Sequence, residues 1–404
     1  MSLSTERAGN SSRWDRVRRD IGRHMALSLF EQISRQPLMR PNKRSIPWTP
    51  SLLAAWLLAM TVHLSALGFA ALCLVLLVQP WSNLLLPLGA VMAGLMCVLA
   101  RPRRNEGPDY PLSPSDYPAL HDLAQRIAAA MQAPAPDALA VSAEFNANYR
   151  SAGWRQTRHL ELGAPLMAVL SGEERVALMA HEIAHGANGD PMRGQVLHGA
   201  INSLHAWASG LRPLSLGEAG AGTGSGPFGS LLALPLELMM LACSECILAL
   251  ARALWMLTLR ASQSAEYLAD RLGAQIAGVA AMRSMLERLY LQDELEFAVQ
   301  AHALNPSRSG GAELGAALRA AVHALPAEKL QAYREESRAT LWQSDTSHPP
   351  TELRIEMLNA QPPIGPPLVQ LSEQEASAIE AEVQRLLAHR EREMVNLKLA
   401  TIHG

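Results

Sequence analysis

His181, Glu182 and His185 stand in the order His-Glu-x-x-His, and that spacing is itself a chemical statement. On an α-helix, residues four apart lie one turn apart on one face, so both imidazoles can reach a single ion. Glu182 is turned by about 100° from His181, near enough to take a proton from water that the ion activates. The chemistry needs this division of labour: neutral ring nitrogens hold zinc, and a carboxylate acts as base. By residue frequencies alone, H-E-x-x-H arises in about two of a hundred such chains, so the surrounding sequence has to carry the assignment.

It does. A catalytic zinc takes three protein ligands and keeps a fourth position open. Downstream, Ser264-Ala-Glu266-Tyr-Leu-Ala-Asp270 places Glu266 and Asp270 four residues apart on another helix. Glu266 reads as the third ligand, and Asp270 as the carboxylate that receives a ligand histidine's second ring nitrogen. The helix that must carry the histidines opens at Ser171, where Ser171-x-x-Glu174 forms a capping box. Val176, Met179, Ala180, Ile183 and Ala184 give it an inward face, and Gly186 and Gly189 offer places to end it.

The elements around this motif follow from composition. The chain has 404 residues, 49% hydrophobic and 18% charged, a balance that excludes disorder for the bulk. A formal charge of -2 gives no sign of nucleic acid, and the Arg-rich N-terminal arm lacks the aromatic platforms of an RNA-binding module. Four cysteines are too few for a disulfide-stapled scaffold. Aromatic residues are 5%, and the apolar content is mainly Leu and Ala, which favours helices. Residues 113–132 read as an amphipathic helix, Ala138 to Ser142 as a short strand, and Ser372-x-x-Glu375 as a capping box opening a charged helix to about Leu399. The segments 216–229 and 305–311 read as loops.

Ser45 to Ala100 is a run of 56 residues without a formal charge. Leu52 to Val78 is long enough to span a bilayer, Gln79-Pro80-Trp81-Ser82-Asn83 breaks it, and Leu84 to Ala100 returns. This predicts a transmembrane helical hairpin. Ten Lys/Arg against four acids in residues 1–50, and Arg101, Arg103 and Arg104 after the hairpin, place both flanks in the cytoplasm. A second apolar run, Phe228 to Leu259, carries Glu237, Glu245 and Arg252. An interior helix, a membrane-dipping helix and a true span with a polar stripe are all compatible with it. Cys243 and Cys246 within it read as small core residues.

HEIAHGANGD followed by AEYLAD resembles the integral-membrane zinc metallopeptidases of the HtpX and CAAX-prenyl-protease type. His159 to Leu170 is similar to that family's strand and short helix before the zinc helix. Phe145-Asn146-Ala147 resembles its substrate-side edge strand, and Ser347-His348-Pro349-Pro350-Thr351-x-x-Arg354 its late His-Pro…Arg motif. The likeness spans about residues 115–360. It implies a gluzincin fold, with His181, His185 and Glu266 holding one Zn2+ and Glu182 as base. It further implies that His348 stabilises the oxyanion, that Arg354 braces the site, and that Asn146 and Ala147 line the bound peptide. Gln263 departs from the Arg that many members carry there.

The expected molecule is mainly α (α+β): a zincin-like metallopeptidase domain with a small β-sheet, plus the N-terminal hairpin. Its parts would be a basic arm (1–50), the hairpin (51–100), the peptidase domain (101–360, with an insertion at 191–260 open to the membrane) and a C-terminal helix (361–404). The expected activity is that of a zinc metalloendopeptidase of a bacterial inner membrane, facing the cytoplasm, with polypeptide substrates and the lipid bilayer as partners and membrane protein quality control as its setting. A zinc-holding scaffold without turnover is the competing reading. Glu182 speaks against it, since a structural zinc site closes with four ligands and needs no base.

Overall fold

The computed structural model describes residues 27–31, 50–78, 86–89, 91, 94, 110–152, 157–187, 190–211, 227–304, 311–339, 349–361 and 365–403. In chain order the helices are α1 (Pro50–Val78), α2 (Pro118–Ala130), α3 (Ala164–Val169), α4 (Gly172–Ala187), α5 (Asp190–Gly210) and α6 (Pro227–Ala277). They continue with α7 (Val279–Arg288), α8 (Gln292–Ala303), α9 (Gly311–His323), α10 (Ala327–Ala339), α11 (Thr351–Asn359) and α12 (Glu373–His403). The strands are β1 (Pro111–Leu112), β2 (Ala138–Ser142), β3 (Ala147–Ala152) and β4 (Thr157–Gly163). The chain divides into two units, one of residues 1–46, 105–191 and 262–404, the other of residues 47–104 and 192–261.

In the first unit the strands lie in the order β1-β2-β4-β3, with β2 and β4 parallel and both outer pairs antiparallel. Alternation along β2 and β4 sends Leu139, Val141, Leu160 and Leu162 to one face, where they meet Leu120, Leu123 and Ile127 of α2 and Val176, Met179 and Ile183 of α4. Burying each such side chain is worth about 1.5–3 kcal/mol, so this layer is what fixes α4 under the sheet. The amphipathic segment at 113–132 becomes helical only at Pro118. Residues preceding a proline are driven out of the α region, and Ser113 to Tyr117 form a turn instead.

Both capping boxes form. Ser171 N–H donates to Glu174 Oε2 at 2.7 Å while Glu174 N–H donates to Ser171 Oγ at 3.3 Å, and Ser372 and Glu375 repeat the pattern at 2.7 and 3.3 Å. Glu174 does more than cap. Its Oε1 accepts from Ser284 Oγ at 2.6 Å and Arg288 Nε at 3.1 Å, tying α7 to the start of α4. The start of α2 has a different arrangement: the amides of Ala119 and Leu120 donate to the buried carboxylate of Glu382 on α12, at 2.8 and 2.9 Å. Helix α12 also delivers Ile379, Val383, Leu386, Leu387 and Met394 to the same core.

The second unit is built on small residues. Leu52, Ala55, Ala59 and Val62 of α1 pack with Leu197, Ala200, Ile201 and Leu204 of α5 and with Ala251 and Leu254 of α6. Two polar contacts join the helices: His63 Nε2 lies 3.0 Å from Val196 O, and Ser244 Oγ donates to Ala208 O at 2.9 Å. Close approach through small side chains with a few interhelical hydrogen bonds is how helices associate in lipid. Two described stretches are long and apolar enough to cross a membrane, Pro50–Val75 and Glu237–Ala277.

The break at 79–83 lies outside the described residues, and so does the returning run 84–100 apart from residues 86–89, 91 and 94. The run 228–259 is not a separate element. It and the AEYLAD segment form one 51-residue helix, α6, which contains Pro235. Cys243 and Cys246, read as core residues, are exposed on it. Glu245 and Arg252 share a face as their spacing demands, 3.9 Å apart. Of the loop at 216–229, residues 216–226 lie outside the described residues and Pro227 to Gly229 open α6; 305–310 of the other loop are likewise outside.

Candidate metal centre

Helix α4 carries its two histidines on the face turned away from the sheet, and α6 lays Glu266 and Asp270 against them. His181 Nε2 and His185 Nε2 are 3.2 Å apart, His181 Nε2 and Glu266 Oε2 3.5 Å, and His185 Nε2 and Glu266 Oε1 3.4 Å. Donors held about 2.0–2.1 Å from one ion at tetrahedral angles stand about 3.3 Å from each other. The triangle has that edge length, and its atoms are two imidazole nitrogens and a carboxylate, the set that zinc takes when one position is left open. The donor set fits the ion.

Behind the triangle lies a second layer. His181 Nδ1 faces Asp270 Oδ1 at 3.0 Å. A ring protonated on Nδ1 donates there and turns its Nε2 lone pair toward the ion. Asp270 is fully buried and grips Arg354 through both oxygens, Nε to Oδ2 at 2.7 Å and Nη2 to Oδ1 at 2.6 Å. Arg354 Nη2 also stands 3.5 Å from Glu266 Oε2, bracing the third donor. Bidentate pairing cancels the Asp270 charge, so Glu266 is left to balance a cation.

The electrostatics favour positive charge in the triangle. Burial pulls the His181 ring down, but hydrogen bonds that the ring donates to Asp270 and Glu266 outweigh it and push the ring up to about 10. Burial works the same way on Arg354, and Asp270 reverses it, holding the guanidinium above its usual range. The negative charge that draws a proton to this ring also favours a cation, which Glu266 would meet directly while Asp270 held the ring.

Glu182 is buried beside His181 on α4, at 8% exposure. Ala147 opens β3, directly after Asn146, and among the described residues this strand pairs on one side only, with β4. Gly163 N–H donates to Asn146 O at 2.8 Å, which sets the alternation: residues 147, 149 and 151 turn their backbone groups to the open edge. Asn146 Oδ1 accepts the Ala147 N–H at 2.8 Å. The structure thus gathers His181, His185, Glu266, Asp270 and Arg354, with Glu182 adjacent, and sets Asn146–Ala147 on the edge strand. His348 lies outside the described residues.

One neighbour escaped the sequence reading. Tyr149 follows Ala147 by two, so it shares that residue's face, and its ring fits against Gly186, where a Cβ would come within 2.4 Å of ring carbons. Only glycine admits this approach. Burial pushes the phenol up to about 12, so it stays protonated and a donor. The period of two along a strand was the available signal.

Comparison with known proteins agrees with the geometry. The family model described as peptidase family M48 matches residues 114–361, more than half of the chain. Relatives called Protease HtpX include those of Acinetobacter baylyi, 28% identical over 158 residues (37% of this chain, 48% of that protein), and Stutzerimonas stutzeri, 29% over 156 residues (37% and 50%). The Protease HtpX of Actinobacillus pleuropneumoniae is 26% identical over 194 residues (47% and 65%). The chain spans about half the length of the first two of these relatives. No solved structure matches it significantly. A match of this extent, laid over motifs that fold into one buried donor triangle, settles the family: the chain belongs to peptidase family M48, with the HtpX-type membrane zinc metallopeptidases.

Proposed function

We propose that the protein is a membrane-anchored zinc endopeptidase, and the observation that carries this reading is the donor triangle of His181, His185 and Glu266 with a buried carboxylate beside it. Zinc held there supplies Lewis-acid polarisation of the scissile carbonyl and of water. Glu182 accepts the proton of the attacking water and passes it to the leaving amine as the C–N bond breaks. Asp270 fixes the His181 ring, and Arg354 fixes Asp270 and Glu266. The substrate polypeptide lies extended beside β3, pairing with the outward backbone groups of Tyr149 and Ser151 and with the Ala147 carbonyl. His348 serves the oxyanion, on the strength of its His-Pro…Arg motif.

In this reading residues 1–50 are a basic cytoplasmic arm, 51–100 a hairpin, 101–360 the peptidase domain with a membrane-associated insertion at 191–260, and 361–404 the C-terminal helix. The setting is a bacterial inner membrane, with the catalytic domain facing the cytoplasm and membrane protein quality control as the task. Zinc analysis and cleavage of an unfolded reporter protein in detergent test the core of it, comparing parent with Glu182→Gln. The near-isosteric variant keeps all three donors, so zinc stays at one per chain while cleavage falls about 10²- to 10⁴-fold. Undiminished cleavage rejects the mechanism, and a parent that holds zinc without cleaving anything leaves a scaffold.

A further inference from the structure

Tyr149 is nine-tenths buried, at 9% exposure, and its hydroxyl oxygen makes no hydrogen bond among the described residues. A buried phenol nearly always finds a partner, because leaving a donor unmet is costly. Two further observations say where the missing partner enters. The side chain occupies the space between β3 and Gly186, the residue directly after the ligand His185. The backbone of Tyr149, opposite Leu160 in a non-hydrogen-bonded pair, turns its N–H and C=O to the open edge of the sheet.

A peptide paired along that edge sets alternate side chains on the face that Tyr149 shares, within cross-strand reach of it. Resting on the endopeptidase reading, we infer that Tyr149 is a specificity-determining residue: its ring closes the pocket for the inward substrate side chain next to β3, and its hydroxyl selects one with a hydrogen-bond acceptor. Asp, Asn, Glu, Gln, Ser and Thr offer that acceptor, and aliphatic side chains of similar size leave the phenol unmet. Discrimination by a buried polar group of this kind is strong, because the wrong ligand forfeits the bond and retains the desolvation cost.

The test separates binding from turnover. Fluorescently labelled decapeptides, identical but for one position carrying Asn, Ser, Leu or Val, are titrated by fluorescence polarisation against zinc-loaded Glu182→Gln protein and against the same protein with Tyr149→Phe added. The expected result is a preference of about tenfold or more for Asn over Leu at one peptide position, falling to about twofold or less with Tyr149→Phe, at unchanged zinc content. An equal preference in both proteins, or none in either, overturns the assignment. Cleavage of the same peptides by protein with Glu182 intact is scored separately: peptides bound with the Tyr149-dependent preference yet never cut reject the endopeptidase reading and leave the pocket standing.

Discussion

The roles of Asp270 and Glu182 differ in kind, and that difference is measurable. Glu182 sits outside the donor triangle, so in the proposed mechanism its loss strikes turnover. Asp270 holds the His181 ring at 3.0 Å and Arg354 through two hydrogen bonds, so its loss strikes the ion. Asp270→Asn keeps the shape but gives up one acceptor and the charge that balances Arg354, and zinc affinity should fall about 10- to 100-fold. Competition with a zinc chelator measures it, and affinity equal to the parent would remove Asp270 from the site. Gly186→Ala probes the other flank. The added methyl meets the Tyr149 ring at 2.4 Å, so either the ring or α4 must shift, at a cost of about 1–3 kcal/mol. Denaturant unfolding of Gly186→Ala, Tyr149→Ala and the double variant should show coupling above about 0.5 kcal/mol; simple additivity would mean the two do not touch in solution.

Elements differ in how plainly the sequence announces them. Helix α4 declares itself through Ser171-x-x-Glu174 and the apolar stripe ending at Ala184, because local capping chemistry and period 3.6 are properties of neighbours in sequence. The strand at Ala138–Ser142 has the bounds its flanking prolines and apolar run suggest. Glu266 and Asp270 were legible through motif spacing and Arg354 through the family resemblance, and the structure brings all three to His181. What stayed hidden is what depends on distant partners. Nothing local marks Glu382 as the cap of α2, 262 residues away from Leu120. The unbroken course of α6 from Pro227 through Glu266 had a local signal, since no glycine or proline interrupts Glu237 to Tyr267, but Pro235 reads as a break and yet lies inside the helix. The hidden cap supports a prediction: Glu382→Ala strands the buried amide of Leu120 and its neighbour, costing about 1–3 kcal/mol. A urea midpoint within error of the parent would show those amides to be solvated.

At the scale of the whole molecule, charge sets topology. The 56-residue uncharged run with basic residues on both sides predicts that reporters fused after residue 40 and after residue 110 both read cytoplasm. A periplasmic reading at either point would overturn the orientation. The same uncharged stretch begins with α1, whose Leu57, Leu64, Leu67 and Leu74 stand exposed, as lipid-facing side chains would.

The separation of the proposed zinc ligands along the chain has a consequence in time. His185 and Glu266 are 81 positions apart, and residues 192–261, the later of the two segments of the second unit, are translated between them. Ribosomes add about 5–20 residues each second, so for several seconds the nascent chain owns two histidines and no third donor. A two-point site grips metal poorly, and the helix that brings Glu266 is the same α6 whose apolar stretch must first find its place. On the proposed reading, proteolytic competence is therefore scheduled by synthesis itself. On that reading the nascent chain cuts nothing until the second apolar stretch has been made.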